Sequence, residues 1–550
     1  MILLRRRIIH GACTLATLAW LAAPAHAQTP APGRIVAVGD VHGHLGAFTR
    51  ILRQAGILDS QNAWAGGNAT LVQTGDTIDR GPDMRSVLDL LMALEKQAPK
   101  TGGRTVFLLG NHEAMNIFGD LRYVTEGNYA SFATKDAQKR REQAWKQYVE
   151  WRQRRAAARK QPAWDVTAAQ QKEWMALHPP GFFEHRDAFG PAGKYGKWLR
   201  ERPAVALLQG VLFVHGGIAP ELAAWKIEDF NRRIASELRS FDDFRLLFTQ
   251  QGLVLPFFTL EEMQAAITTE WNARKEAIAL KQQEAAAKGK TYEVPAEERK
   301  HNDALSDFLA LTSWISIHPS GPLWFRGYAT WTEEEAPPQL EKLNRLGATQ
   351  FVVGHSPQTK SGIVSRFAGR VFLIDTGMLA GSFYPGGVSA ALEIDQGKFT
   401  AIYLDRRVAL LDAAGRPGAD QHEWPLDFTP ISEDALGLLG GGAQQPAPQG
   451  QPAHKIEPAP AATTGTTPPR ASPAPDRVWY GPDSKPLPFQ SDQQILDFLQ
   501  TARVLSMKTI GEGITQPRKV LLERDGVRMH AIFRDVNEEK DLAHLATGRR

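Results

Sequence analysis

The sequence predicts an α/β protein, and three observations carry that prediction. Short apolar runs bounded by glycine recur along the chain, stretches with helical apolar spacing lie between the first few, and most of the runs end in glycine or valine followed by Asp, Asn or His. The runs are Ile35–Val38, Thr70–Val72, Thr105–Leu109, Val211–Val214, Phe351–Val353 and Val371–Ile374. Continuous β-branched and aromatic stretches of this length suit strands covered on both faces. Met84–Leu94 has the amphipathic pattern of a covering helix.

At 550 residues the chain exceeds one ordinary domain, and its 43% hydrophobic content is enough for at least one large core. Its start reads as a signal peptide over residues 1–27: Arg5-Arg6-Arg7, an apolar run from about Gly11 to Ala23, then Ala25-His26-Ala27 as a small-x-small cleavage site. That predicts a secreted or periplasmic protein. The apolar run is shorter than the roughly 18 to 20 residues of a spanning helix, so no membrane span is expected in the mature chain. Cleavage removes three arginines and no acidic residue, which lowers the formal charge from +4 to +1. A near-neutral protein has no strong field to recruit nucleic acid or a membrane surface, and neither partner is expected. Cys13 is the only cysteine. The mature chain therefore lacks disulfides, zinc-thiolate sites and cysteine nucleophiles, and any metal must be held by His, Asp, Asn or Glu.

A catalytic domain is expected over residues 28–425, interrupted by two helical insertions at about 135–177 and 260–300. Two readings of the insertions stand side by side: solvated surface helices, or a cap that screens substrates. Residues 437–475 collapse into Gly, Pro, Ala, Gln and Thr, a linker composition that cannot bury enough apolar area to fold. Residues 478–550 regain apolar patterning sufficient for a small C-terminal α+β domain, expected to be a module that docks a protein or a remnant.

Five segments place a potential ligand after a buried run: Gly39-Asp40-Val41-His42-Gly43, Gly75-Asp76-Thr77-Ile78-Asp79-Arg80-Gly81, Gly110-Asn111-His112-Glu113, Val214-His215-Gly216-Gly217 and Gly354-His355. In open α/β sheets the carboxyl ends of strands form the crevice where ligands bind, so five segments point at one place. A lone Asp or His would more often cap a helix or satisfy a polar contact. Five blocks in this order far exceed chance. Carboxylate oxygen and imidazole nitrogen are what hard and borderline metals take in a cysteine-free site, and Asp76 suits a carboxylate bridging two ions.

These blocks resemble the signature set of the phosphoprotein-phosphatase branch of calcineurin-like metallophosphoesterases, over about Ile35 to Leu404. Trp198-Leu199-Arg200, Val214-His215-Gly216-Gly217-Ile218 and Gly321-Pro322-Leu323-Trp324-Phe325-Arg326-Gly327 are most similar to the bacterial Shewanella-like phosphatases. The resemblance implies a β-sandwich of two mixed sheets flanked by helices. It implies that Asp40, His42 and Asp76 hold a first metal, and that Asp76, Asn111, His215 and His355 hold a second, the pair being manganese, iron or zinc. It makes His112 the general acid, oriented by Asp79, with Arg80 on the phosphate oxygens and Arg326 as candidate second phosphate arginine. The implied reaction is direct attack on phosphorus by a metal-bridging hydroxide, with no covalent phosphoenzyme.

The eukaryotic Ser/Thr-specific branch carries Ser-Ala-Pro-Asn-Tyr near its last strand, where this chain has Ile374-Asp375-Thr376-Gly377-Met378. That departure argues against Ser/Thr specificity, and the resemblance permits phosphotyrosine. The expected function is therefore hydrolysis of phosphate monoesters in a peptide, protein or small molecule. Hydrolysis of nucleotides or dinucleoside polyphosphates is the alternative, and an inert metal domain serving as a binding protein is the alternative of another class. Blander roles are expected elsewhere: a loop contact for His44, a supporting place for Glu113, surface or structural places for His178, His185, His301, His318 and His422, and packing for Trp324, under Arg326 or in the core.

Overall fold

The computed structural model describes residues 33–358, 362–381, 383–418, 494, 498–499, 502–509, 518–524 and 527–533. The signal segment, the linker and His422 lie outside the described residues. Eleven strands form the main body: β1 (Ile35–Val38), β2 (Thr70–Gln73), β3 (Arg104–Phe107), β4 (Val205–Leu208), β5 (Val211–Val214), β6 (Gln350–Val353), β7 (Val364–Arg366), β8 (Val371–Leu373), β9 (Ala390–Asp395), β10 (Lys398–Tyr403) and β11 (Arg407–Leu411).

They make two mixed sheets, one ordered β11-β10-β9-β1-β2-β3 and the other β4-β5-β6-β8-β7. Within them β1, β2 and β3 run parallel, as do β5, β6 and β8, while β9 pairs antiparallel with β1, β4 with β5 and β7 with β8. Strand periodicity divides the apolar runs between two cores. Ile35, Ala37, Val211, Phe213, Val352 and Phe372 point into the layer between the sheets. Val36, Val38, Leu212, Val214, Phe351, Val353, Val371 and Leu373 point outward under the helices. Both faces of each run are thus buried, which is why the runs are continuous instead of alternating. Phe372 stacks on Phe399 across the two sheets, with ring centroids 4.4 Å apart.

The amphipathic stretch after β2 forms the helix Met84–Gln97, with Met84, Val87, Leu88, Leu91 and Leu94 buried. The third run ends earlier than its composition suggests. Leu108 still bonds Gln73 O, but Leu109 N turns to Pro203 O, so the chain leaves the sheet before Gly110.

The insertions are helical, with helices over Ala137–Ala158, Ala168–Leu177, Leu260–Ala287 and Ala296–Leu309. They are more than solvated surface. Tyr129, Trp145, Trp174, Phe182 and Phe183 make a separate aromatic core beneath the first insertion. His178 and His185 are buried there instead of lying on the surface: the His178 ring stacks on Trp174 and its Nδ1–H donates to Trp174 O. In the C-terminal stretch β12 (Arg503–Thr509), β13 (Arg518–Arg524) and β14 (Val527–Phe533) form a three-stranded antiparallel sheet. Among the described residues no helix is long and apolar enough to cross a membrane.

Candidate metal centre

Six strands deliver the site at their carboxyl ends. Asp40 and His42 follow β1, Asp76, Asp79 and Arg80 follow β2, Asn111 and His112 follow β3, His215 follows β5, His355 follows β6 and Asp375 follows β8. The connecting turns lock to one another through backbone bonds: Val41 and His42 N–H donate to Asp76 O, Gly81 N–H to His42 O, and Gly354 N–H to His215 O. His42, Asp76, Asp79, Arg80 and His355 all have φ between 45° and 68°. Non-glycine residues in this left-handed region cost of order 1 to 3 kcal/mol each, so surrounding contacts hold them there. Glu113 supplies several of those contacts, accepting from Asp76 N, Thr77 N, the Thr77 hydroxyl and Gly110 N at 2.7 to 2.8 Å. It is a support and makes no ligand contact, as expected from sequence. His44 also takes its expected modest place, accepting from Ala47 N at the start of the helix Leu45–Gln54.

Two groups of potential metal ligands converge within this frame, His42–Asp76–His112 and Asp76–His215–His355, each with its donor atoms within 4.8 Å of one another. Asp76 belongs to both. Three imidazoles have their tautomers set by backbone carbonyls: His42 Nδ1–H donates to Ile78 O, His215 Nδ1–H to Thr74 O, and His355 Nε2–H to Trp324 O. That leaves His42 Nε2, His215 Nε2 and His355 Nδ1 as lone-pair donors, the form a metal ligand takes. His215 Nε2 then lies 3.1 Å from His355 Nδ1, 2.8 Å from Asn111 Oδ1 and 3.2 Å from Asp76 Oδ2. Four electron-rich atoms facing one another in a buried site repel unless a cation lies among them.

His112 is arranged differently. Its Nδ1–H donates to a carboxylate, Asp79 Oδ2, at 2.7 Å, and its Nε2 is buried with no hydrogen-bond partner, 3.7 Å from Asp76 Oδ2. Burial pulls the His112 pKa down, but Asp76 and Asp79 outweigh it and the imidazole is held above its ordinary value. His42 and His355 are pushed well below theirs, first by burial and then by the Arg80 and Arg326 guanidiniums respectively. One imidazole thus keeps a proton where two others stay neutral.

The carboxylates are crowded. Burial, Asp375 and Asp76 push Asp40 well above the carboxylate range, and burial pushes Asp375 up to about 6. Both Asp40 oxygens accept from His355 N, at 3.1 and 3.3 Å. Arg80 Nη1 donates to His42 Nε2 at 2.5 Å and to the Tyr384 hydroxyl. The guanidinium lies between two rings, 5.0 Å from the Tyr123 centroid and 5.6 Å from that of Tyr384. Arg326, partly exposed, donates to His355 O at 2.7 Å and to Ser356 Oγ at 3.2 Å, which puts it at the rim next to a ligand. Trp324 packs against the main core, one of the two places foreseen for it, while its carbonyl sets the His355 tautomer and its indole N–H donates to Ser316 O.

All ten residues singled out from sequence therefore meet at one place. Asn116, Tyr123, Tyr384 and Asp375 join them without having been assigned a role.

Residues 33–253 match the calcineurin-like phosphoesterase family. A relative in Schizosaccharomyces pombe, an uncharacterized protein, is 30% identical over 371 residues, covering 66% of this chain and 78% of its own. The chain belongs to the calcineurin-like phosphoesterase family. Shewanella-like protein phosphatase 2 of Arabidopsis thaliana is 30% identical over 224 residues, 38% of this chain and 53% of that one. Shewanella-like protein phosphatase 1 of Plasmodium berghei is 22% identical over 378 residues, 68% and 74% of the two chains. Among solved structures, the cold-active protein-tyrosine phosphatase of a psychrophilic Shewanella aligns with a TM-score of 0.41 and 21% identity over 69% of this chain and 80% of its own.

For this member of the calcineurin-like family the residues fit the binuclear metal group that the fold implies. The converging lone pairs of His215, His355 and Asn111, the bridging position of Asp76 and the crowded carboxylates all call for positive charge. Oxygen and imidazole donors without sulfur suit manganese, iron and zinc alike. The protein is a metal-dependent phosphoesterase with two ligand groups sharing Asp76.

Proposed function

We propose that the enzyme is a phosphomonoesterase that acts on phosphotyrosine in peptides or proteins. The observation that carries the reading is the His112 imidazole: Nδ1 bonded to Asp79, Nε2 aimed beside Asp76 without a partner, and a pKa held up by its neighbours. A monoester needs a group to protonate its departing oxygen, and a proton held at Nε2 serves that purpose.

In this reading Asp40, His42 and Asp76 hold one ion, and Asp76, Asn111, His215 and His355 hold the other. When bound, the ions supply an activated water as nucleophile and positive charge for the phosphate oxygens. Arg80 and Arg326 orient the phosphate, for which a planar fork of N–H donors is suited. Arg80 must release His42 Nε2 to do so, and the rings of Tyr123 and Tyr384 keep its guanidinium within the site. The Tyr123 ring lies 4.8 Å from His112 and the Tyr384 ring stacks on His42 at 5.9 Å, surroundings that suit an aryl leaving group. The names of the Arabidopsis and Plasmodium relatives support a protein substrate. The start of the sequence supports export to the periplasm or medium, and the C-terminal sheet supports a docking role.

The test is phosphate release from phosphotyrosine, phosphoserine and phosphothreonine peptides and from diadenosine tetraphosphate, comparing metal-loaded enzyme with Asp76→Asn. Preferential release from phosphotyrosine, lost in the variant, is expected. Turnover of the dinucleotide alone would replace the substrate class, and no turnover by the loaded enzyme would leave the binding-protein reading.

A further inference from the structure

The two insertions line a half-open cavity that includes none of the metal-centre residues. It lies between the helices Ala137–Ala158 and Leu260–Ala287 and the connection at 159–166, and its volume is about 660 Å³. Small-molecule sites typically run from about 300 to 1,000 Å³, with mostly apolar walls and a few placed polar groups. Tyr148, Arg152, Arg155 and Arg159 line it at spacings of four, three and four residues, which puts them in a single row along the first helix and its end. Trp151, Trp164 and Phe258 supply further rings.

Three guanidiniums, Arg152, Arg155 and Arg159, line the cavity against two carboxylates, Asp165 and Glu262, and two of the three share a further acid outside the lining. Glu270 alone accepts from Arg155 at 3.0 Å, from Arg159 at 3.4 Å and from Arg274 at 2.9 Å. A clamp between two helices needs one guanidinium on that carboxylate, and here three crowd it. Arg152 adds a fourth, lying 4.9 Å over the Trp164 ring and bonded to the Tyr148 hydroxyl. Of the two acids that line the cavity, Glu262 is already engaged by Thr259 N and its hydroxyl and faces His178 at 3.6 Å, which leaves Asp165. Excess guanidinium beside stacked rings is a receptor for a ring carrying an oxyanion, since arginine binds carboxylate and phosphate through a planar fork and stacks on aromatic faces.

We propose that this cavity is a second binding site, for a small aromatic carboxylate or phosphate, with the ring held against Tyr148 and Trp164, the partly exposed rings of the lining, and the anion on Arg152 and Arg155. The occupant is a ligand of the insertions and takes no part in the chemistry at Asp76.

The experiment titrates naphthoate into the full-length, metal-loaded enzyme by calorimetry and tryptophan fluorescence, with uncharged naphthamide as control. One naphthoate per chain is expected, with naphthamide at least about tenfold weaker. Arg152→Gln, an exposed position outside the Glu270 cluster, is expected to weaken naphthoate about tenfold, and Trp164→Ala to abolish the fluorescence change. Arg152→Gln should melt as the wild type does, both variants should retain turnover of an aryl phosphate, and Asp76→Asn should bind naphthoate unchanged. Absence of binding, equal binding of naphthamide, or unaltered binding in both cavity variants would overturn the site. Loss of binding in Asp76→Asn would place the ligand at the metal centre instead.

Discussion

Asn116 donates to both carboxylate oxygens of Asp79, at 2.9 and 3.0 Å, from one helical turn beyond His112. The same Asp79 accepts from His112 Nδ1, so one short helix carries the proposed acid and the group that immobilises its partner. Asp79→Asn puts an amide donor where an oxygen now accepts from Asn116 or His112, and should lower kcat by roughly a hundredfold or more, with KM little changed. The sign of the pH effect follows from charge. The protonated imidazole is the working form, Asp79 is one of the groups holding its pKa up, and removing that negative charge lowers it. The alkaline limb of the kcat profile should move to lower pH in the variant. An unmoved limb would show that His112 does not set it.

Metal removal should cost stability in a pH-dependent way. Asp375 is pushed up to about 6 by burial, and Asp40 is raised by burial and by Asp375 and Asp76. Carboxyl groups with raised folded-state pKa values favour the folded state fully below their unfolded values, and that advantage is lost as pH rises through the folded values. Relative to Asp375→Asn, which cannot ionise there, the chelated wild type should therefore lose melting temperature between about pH 4 and pH 6. Bound cations compensate the same charges, so the loaded protein should show a smaller fall and a higher Tm. Melting curves with and without chelator across that range decide it.

Much of the site was legible in the sequence because metal chemistry restricts residue types at strand ends. Asp40, His42, Asp76, Asn111, His215 and His355 stand next to glycine, asparagine or histidine in short, recognisable blocks. The parallel strands were legible too, since burial on both faces removes polar residues from Ile35–Val38 and Val211–Val214. β9, β10 and β11 were not, because Lys398–Tyr403 and Arg407–Leu411 mix charged with apolar residues as outer antiparallel strands do. The helix Ile227–Gln250 is similarly masked, with charges interspersed along a buried stripe of Phe230, Ile234, Leu238, Phe241 and Phe248. Tyr384 reaches the site from a loop 304 residues after Arg80, and no local pattern announces such a contact. Asn116 alone had a local signal, its place four residues after His112.

Gly110 isolates a steric requirement. Its φ of −98° is open to any residue, yet a Cβ there would lie 2.2 Å from Asp76 Oδ1 and 2.8 Å from Glu113 Oε2. Gly110→Ala must displace the carboxylate shared by both ligand groups. The expected outcome is a stability loss of about 1 to 3 kcal/mol, typical of overpacking, with a much larger loss of metal content and turnover. Metal analysis of the purified variant beside its melting curve separates the two. Full metal occupancy with wild-type turnover would show that Asp76 tolerates the shift.

Tyr384 tests how the phosphate-facing arginine is held. Its hydroxyl accepts from Arg80 Nη1 and its ring lies against the guanidinium, which also contacts Tyr123 and His42. Tyr384→Phe keeps the ring and removes the acceptor, and hydrogen bonds to charged groups contribute about 1.5 to 3 kcal/mol. Arg80 remains present but less constrained, so kcat/KM on an aryl phosphate should fall about tenfold, carried mainly by a higher KM. Tyr384→Ala should fall further, because the stacked surface goes with the hydroxyl. Arg80→Lys in the wild-type background should lose more than either, since an ammonium cannot present a planar pair of donors to the phosphate. If Tyr384→Phe matches the wild type in both constants while Arg80→Lys does not, the arginine works and the tyrosine does not position it.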